Sequence, residues 1–300
     1  MPAVAFIVNG TLARAGHRFR AQCQEAAVAA GWTPEFQITR KAGDGTEAAR
    51  RATLAGADLV VAVGGDGTVR CCAEGMADTG IPMGIVPLGT ANLLARTLGI
   101  PSHPRAALRI ALAAPGGATD RKIDLALADG IPFTAMAGMG LDAAVVAATR
   151  LKHQLGWLAY AMSGAAHLAL PPATFTIRLD DGPKFTRVAQ CVVAGNSGLL
   201  PGGFSLLPTA QIDDGLLDVG ILAPSGPLGW ARVATRVLVH SHHEDRQLER
   251  FRARRVEVTA SRPLPREVDG EVLFDEDSLT MELRPGALLV RGPGTALTGS

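Results

Sequence analysis

Five consecutive apolar residues, Leu59-Val60-Val61-Ala62-Val63, end abruptly at Gly64-Gly65-Asp66-Gly67-Thr68, and few folds accommodate that junction. A run that is β-branched or alanine at nearly every position suits a parallel strand covered on both faces. The paired glycines remove the Cβ atoms that would hold backbone N–H groups away from a phosphate. Val69, Cys72 and Met76 then fall at helical spacing, so the loop ends at a helix N-terminus, where unsatisfied amides and the dipole favour an anion. Asp66 does not belong in a simple anion cradle. A carboxylate beside phosphates repels them unless Mg²⁺ or a transferred proton intervenes, which suggests chemistry as well as binding. On these residues alone the alternative stays open: a glycine-rich strand-to-helix turn with Asp66 as a cap.

The neighbouring sequence supplies the frame. Ala3–Val8 reads as a strand, Asn9-Gly10 as a turn into a polar loop with Arg14, His17 and Arg18, and His17 to Ala30 as a helix stopped by Gly31. Glu35–Thr39 is a second strand. Gly43-Asp44-Gly45-Thr46 nearly copies the later loop but follows no buried apolar run, so Asp44 or Thr46 is expected to cap the next helix. After a helix to about Ala77, strand Met83–Val86 ends in Pro87-Leu88-Gly89-Thr90-Ala91-Asn92, with a helix beginning near Asn92. Strand-helix alternation predicts a doubly wound parallel sheet, with both glycine loops at the carboxyl edge where such sheets bind ligands.

Beyond Pro115-Gly116-Gly117 the texture changes. Short apolar segments separated by turn signals (Lys122–Leu127, Phe133–Ala137, Phe175–Leu179, Val188–Ala194, Leu216–Ile221, Arg255–Thr259 and Ser278–Leu283) predict antiparallel β structure, interrupted by a helical insert from Ala143 to Leu170. The boundary is expected near residue 120. Residues 1–120 then form a nucleotide-binding α/β domain and 121–300 a β-rich domain, whose last strand, Leu288–Arg291, is able to return to the first.

With 47% hydrophobic residues and 19% charged, the 300-residue chain can bury large cores. A net charge of +1 and 4% aromatic content argue against nucleic acid as a partner. Cys23, Cys71, Cys72 and Cys191 have neither disulfide-framework nor zinc spacing, which points to a reducing cytoplasm. The start lacks the basic region of a signal peptide, and the weakly charged stretch Ile131 to Thr149 is broken by Asp142. Any membrane contact is therefore expected to be peripheral.

Taken in order, the glycine loop at Gly64–Thr68, Pro87–Arg96, Gly138-Met139-Gly140-Leu141-Asp142-Ala143, Gly195-Asn196 with Gly202-Gly203, Pro208–Val219 and Asp269-Gly270-Glu271 resemble the diacylglycerol kinase catalytic-domain family. The likeness is to its bacterial soluble lipid kinases, with sphingosine kinases as relatives, and it covers nearly the whole chain. It implies a Rossmann-like N-terminal domain, an antiparallel C-terminal β-sandwich, and ATP-dependent phosphorylation of a lipid hydroxyl in a cleft between them. Carried over by position, Asn9, Thr39, Gly64, Gly65, Asp66, Gly67, Thr68, Val69, Arg70 and Thr90 would hold ATP. A cation would be held by the Asp214 side chain and the carbonyls of Gln211 and Leu216. Glu271 falls where the family's proton acceptor lies. The chain departs from many relatives at Val69-Arg70-Cys71 and at Leu93, where an acid is missing; that bears on substrate identity more than on nucleotide binding.

Phosphoryl transfer needs positioning, charge neutralisation and a proton acceptor. Backbone amides of Gly64–Thr68 with the Thr68 and Thr90 hydroxyls can cradle phosphates, Asp66 can take Mg²⁺ through water, and Arg14 and Arg18 can add charge. Asp269-Gly270 is a leading hairpin signal, yet under the resemblance Glu271 is the base, with Asp269 orienting it or touching the metal and Asp66 as the rival. Asp213-Asp214-Gly215 with Asp218 is either a hard-cation site or a plain turn. His240, His242 and His243 read as surface residues. Trp157, Leu158, Tyr160, Met162 and Leu168 suit an acyl cleft or a core equally. Arg246, Arg250, Arg252, Arg254 and Arg255 read as a solvated helix face or a weak headgroup anchor.

The expected protein is an ATP- and Mg²⁺-dependent kinase of a diacylglycerol-like membrane lipid, cytoplasmic and peripheral at the inner membrane surface, with no oligomeric state indicated. Its rivals are a kinase of the same fold acting on a soluble acceptor such as NAD, and a non-catalytic lipid- or nucleotide-binding regulator.

Overall fold

The computed structural model describes residues 1–10, 17–41, 43–114, 117–140, 171–198, 206–224, 229, 232–233, 235 and 247–294. Two compact units divide the chain: Met1–Leu125 with Gly286–Ser300, and Ala126–Pro285.

The first unit alternates strand and helix. In order it comprises β1 (Ala3–Asn9), α1 (His17–Ala29), β2 (Thr33–Thr39), α2 (Asp44–Leu54), β3 (Leu59–Gly64), α3 (Asp66–Met76), β4 (Pro82–Pro87), α4 (Leu93–Thr97) and α5 (Pro104–Ala111). The strands pair in parallel in the order β4-β3-β1-β2, with Asn9 opposite Thr39, Val8 opposite Val63 and Gly64 opposite Pro87. Those pairings bring the carboxyl ends of the strands to one edge. Every residue of β3 is buried, as expected for a strand with neighbours on both faces. On one face Val4, Phe6, Leu59, Val61 and Val63 pack with Cys23 and Ala27 of α1 and Leu108 and Ala111 of α5. Helices α2 and α3 meet through small residues: a Cβ on Gly75 would sit 2.3 Å from the Thr46 carbonyl oxygen. Helix α5 has no counterpart in the sequence reading, although Pro104 opens it at the position proline favours.

Asp44 does not cap α2. The cap position is Gly43, in the left-handed region at φ 89°, without a side-chain cap bond. The Asp44 carboxylate turns back and accepts the amides of Arg40 and Lys41 at 2.8 and 2.9 Å, tying the exit of β2 to the helix. Thr46 donates its hydroxyl to Glu74 instead of capping.

The second unit is built from antiparallel strands. The chain enters through β5 (Ala118–Ala128) and continues as β6 (Ile131–Phe133), β7 (Met136–Met139), β8 (Ala173–Leu179), β9 (Phe185–Ala189), β10 (Cys191–Gly195), β11 (Leu217–Leu222), β12 (Leu248–Ala253), β13 (Arg255–Val268) and β14 (Glu271–Pro293). Neighbours run β12-β11-β10-β7-β13-β14, with β8 also on β13 and β9 on β8. Strand β13 serves two ladders, pairing with β8 over Val256–Ala260 and with β7 over Arg266–Val268, with register shifts between them. Pro263 and Pro265 lie in that irregular stretch, where an absent N–H costs no ladder bond. The end of β14 belongs to the first unit, where Leu289 and Val290 pair in parallel with Pro82 and Met83.

Three sequence expectations change here. Phe133–Ala137 is two strands, because the amides of Thr134 and Ala135 bond to a carboxylate and not to a ladder. Val188–Ala194 breaks at Gln190, whose amide donates to the Leu222 carbonyl. The basic stretch read as a helix face is strand β12 over Leu248–Ala253, paired residue by residue with β11. Tertiary pairing overrides local propensity there. The insert 143–170 and His240, His242 and His243 lie outside the described residues, as does Arg14. Among the described residues no helix is long and apolar enough to cross a membrane.

Candidate functional site

In the first unit the two glycine loops meet backbone to backbone. A Cβ built on Gly89 would stand 2.5 Å from the Gly65 Cα, and one on Gly64 would collide with the Thr68 side chain at 2.3 Å. Only glycine permits this approach. Leu88 donates its amide to the Gly64 carbonyl at 2.8 Å, extending the β3–β4 pairing into the loops. Gly67, Gly89 and Thr90 are exposed, and no atom lies within 4 Å of a Cβ placed on Gly67.

Helix α3 begins at Asp66, earlier than the spacing of Val69, Cys72 and Met76 predicts, so Gly67, Thr68, Val69 and Arg70 form its first turns. The Thr68 amide donates to the Gly65 carbonyl at 3.0 Å and its hydroxyl accepts from Asn9 Nδ2 at 3.2 Å. Thr68 is therefore buried internal structure, and the amides of Asp66 and Gly67 are those that precede the helix's own acceptors. Thr39 is buried at the end of β2, its hydroxyl directed to the Val8 carbonyl at 3.4 Å.

Asp66 joins the loops. Its Oδ2 accepts the Asn92 amide at 2.9 Å and its Oδ1 accepts the Leu93 amide at 2.6 Å, so it caps α4 from the opposite loop. Asn92, at φ 47°, cannot cap its own helix; its side chain closes the second loop by accepting from the Gly89 amide and donating to the Gly89 carbonyl. Sequence reasoning did not include Asn92 among the site residues. The left-handed tolerance of asparagine after a Gly-Thr-Ala run is the signal that identifies it.

In the second unit, Asp269 and Gly270 make the two-residue turn between β13 and β14, at φ 47° and 77°, with Val268 opposite Glu271. Both positive angles belong to the turn that Asp-Gly favours. The Asp269 carboxylate accepts from the Thr134 amide and hydroxyl and from the amides of Ala135 and Met136, at 2.8 to 3.2 Å. It latches the hairpin to the start of β7. Buried Glu267 accepts the Gly270 amide at 2.8 Å, and Glu271, the first residue of β14, is exposed. The hairpin reading and the acidic-site reading thus describe the same residues.

The cation expected at Asp214 meets a different environment. Asp214 Oδ1 accepts the Leu216 amide at 3.0 Å, and Oδ2 is paired with the Arg252 guanidinium of β12. The nearby Asp218 carboxylate, pushed up mainly by burial, accepts the Thr209 hydroxyl and faces Arg252 Nε at 3.4 Å. The Asp214 side chain, engaged by Arg252 and the Leu216 amide, therefore does not fit a metal ion as it stands, with the Gln211 and Leu216 carbonyls, as the expected site requires. Among the described residues no three His, Cys, Asp or Glu side chains gather as a metal group. The glycine loops of the first unit, by contrast, fit a phosphate chain: the bare cradle, the exposed Gly67 and Thr90 and the helix start supply room and donors.

The diacylglycerol kinase catalytic domain model matches residues 3–125, and the YegS C-terminal NAD kinase beta sandwich-like domain model matches residues 135–292. The chain belongs to the diacylglycerol kinase catalytic-domain family. A "Probable lipid kinase YegS-like" protein of Pseudomonas fluorescens is 38% identical over 274 residues, covering 90% of this chain and 89% of its own. The "Diacylglycerol kinase" of Bacillus subtilis is 33% identical over 247 residues, covering 81% and 80%. A diacylglycerol kinase crystal structure from Bacillus anthracis str. Sterne superposes with a TM-score of 0.72 at 22% identity, covering 99% of this chain and 98% of that one, a likeness of fold. The family's two-part architecture accounts for the glycine loops in one unit and the Asp-Gly hairpin in the other.

Proposed function

We propose that this member of the family transfers the γ-phosphate of ATP to the hydroxyl of a diacylglycerol-like lipid at a membrane surface. Family membership supports lipid phosphorylation, and one observation carries the nucleotide assignment: two glycine loops in backbone contact, clamped by Asp66, with Gly67 and Thr90 open beside them. In this reading the amides of Asp66 and Gly67 and the Thr90 hydroxyl hold phosphate oxygens, next to the positive end of α3. Asn9 and Thr39 shape the floor by holding Thr68 and the β1 carbonyl edge, while Gly64 and Gly65 keep it open. Val69 and Arg70 flank it. ATP supplies the transferred group, and Mg²⁺ carried on its phosphates supplies charge neutralisation.

Glu271 accepts the proton of the lipid hydroxyl. Asp269 is a positioning residue that fixes the turn bearing Glu271, since its carboxylate is already engaged by Thr134, Ala135 and Met136. Asp66 likewise positions loops, its two oxygens being engaged by backbone amides. The test is transfer from γ-labelled ATP to diacylglycerol in mixed micelles, with Mg²⁺ or with EDTA, for the wild type and Glu271→Gln. Mg²⁺-dependent labelling of the lipid, abolished in the variant while ATP binding persists, is the expected result. Labelling of NAD alone would assign a soluble acceptor, and ATP binding without transfer to either acceptor would make the chain a regulator.

A further inference from the structure

Asp218 sits on β11 with 1% of its surface exposed, a carboxylate that needs a compensating charge. Directly across the ladder stands Arg252 of β12, whose Nε lies 3.4 Å from Asp218 Oδ2 and whose Nη2 pairs with Asp214 Oδ2. The other oxygens are also met: the Thr209 hydroxyl donates to Asp218 Oδ1 and the Leu216 amide to Asp214 Oδ1. One planar, permanently charged fork thus bridges both acids from the neighbouring strand.

We propose that Arg252 is the resident cation of this acidic pair, and that the chain uses it in place of the metal ion that its resemblance assigns to Asp214 with the carbonyls of Gln211 and Leu216. A divalent ion bound to Asp214 would displace the guanidinium from Oδ2 or lie against it, and like charges at that distance repel. The Leu216 amide, a donor aimed at Oδ1, takes up part of the accepting capacity of the second oxygen. The ion pair also crosses the β11–β12 ladder, so it adds a side-chain tie to the backbone pairing that a metal held within 211–216 would not add. In this chain the edge of the second unit is held by a side chain and is indifferent to chelators, whatever the acceptor of the reaction.

Thermal unfolding of the full chain without nucleotide tests this, in EDTA and in millimolar CaCl₂, MgCl₂ or MnCl₂. The wild-type midpoint is expected to be the same in all. Arg252→Gln should lower the midpoint in EDTA by roughly 5 °C, with recovery in divalent salt. Arg252→Lys should restore most of the EDTA midpoint, and Asp214→Asn combined with Arg252→Gln should not respond to divalent ions. A wild-type midpoint that falls in EDTA, with the response lost in Asp214→Asn, would place a metal there and overturn the proposal. So would an Arg252→Gln protein unchanged in every condition. Should Arg252→Gln not fold, Mn²⁺ binding followed by electron paramagnetic resonance decides: equal binding to wild type and Asp214→Asn supports the arginine, and a site lost in Asp214→Asn refutes it.

Discussion

The Leu93 amide donates to Asp66 Oδ1 at 2.6 Å, so the acid of the first glycine loop caps the helix that follows the second. The partner bond from Asn92 reaches the other oxygen, and the carboxylate lies at the positive end of α4 as well as in the first turn of α3. Two loops from successive strands are held by one residue, which sets the spacing between them.

Asp66→Asn keeps the shape but replaces an accepting oxygen with an NH₂ group facing an amide. The expected cost is about 1–3 kcal/mol of stability, accompanied by weaker ATP binding. Calorimetric melting with and without ATP measures both. Full stability with lost activity would instead make Asp66 a purely chemical participant.

Gly89→Ala should abolish ATP binding, because the new Cβ would meet the Gly65 Cα at 2.5 Å and Asn92 Oδ1 at 2.9 Å. Gly67→Ala is the contrast: its Cβ meets no protein atom within 4 Å, and alanine in the first turn of α3 is expected to leave stability unchanged or raise it by up to about 1 kcal/mol. Fluorescent-nucleotide titration of both proteins separates loop geometry from space above the loop. Equal, undiminished binding by the two would refute the facing-glycine cradle.

Asp269→Ala should destabilise the second unit by about 3 kcal/mol or more, since several amides of Thr134–Met136 lose a charged acceptor and alanine disfavours φ 47°. Asp269→Asn tolerates the backbone angle and should recover part of that loss. Urea unfolding followed by tryptophan-independent far-UV dichroism gives the order. A wild-type midpoint in Asp269→Ala would rule out the latch.

Cys23 and Cys191 are buried thiols pushed up to about 12 by desolvation, and burial raises Cys72 as well. A thiol raised that far holds almost no thiolate at pH 8, so these three should resist iodoacetamide in the native protein. Cys71, on the partly exposed side of α3, should react first. Mass mapping of alkylated peptides before and after urea checks the pattern; native labelling of Cys23 or Cys191 would contradict the packing.

The two Gly-Asp-Gly-Thr sequences show how much was legible. The apolar run before Gly64 separates the loop that follows a buried central strand from its near copy at Gly43 in a plain reading, because burial of a central strand is written in consecutive residues. The direction of each carboxylate was not. Asp44 turns back to Arg40 and Lys41, only four and three residues away, while Asp66 crosses to Asn92 and Leu93 on another loop. Likewise Asp269-Gly270 announced a turn, but the donors that lock it come from Thr134–Met136.

The basic stretch of Arg246, Arg250, Arg252, Arg254 and Arg255, a helix face by sequence, contains strand β12 over Leu248–Ala253 for the same reason. Its mix of arginine, glutamate and apolar residues suits a helix surface or a strand edge, and pairing with β11 decides. That pairing delivers Arg252 to Asp214 and Asp218, where the sequence reading expects a cation. Sequence alone determined the strand-helix alternation, the glycine loops and the hairpin, because each is encoded in neighbouring residues, and the family, because it is written in the order of such short motifs. Only the tertiary structure decided which oxygen each acid presents and to whom, because hydrogen-bond and charge partners are chosen by distance in space: those of Asp66 and Asp269, and Arg252 for Asp214, lie far along the chain.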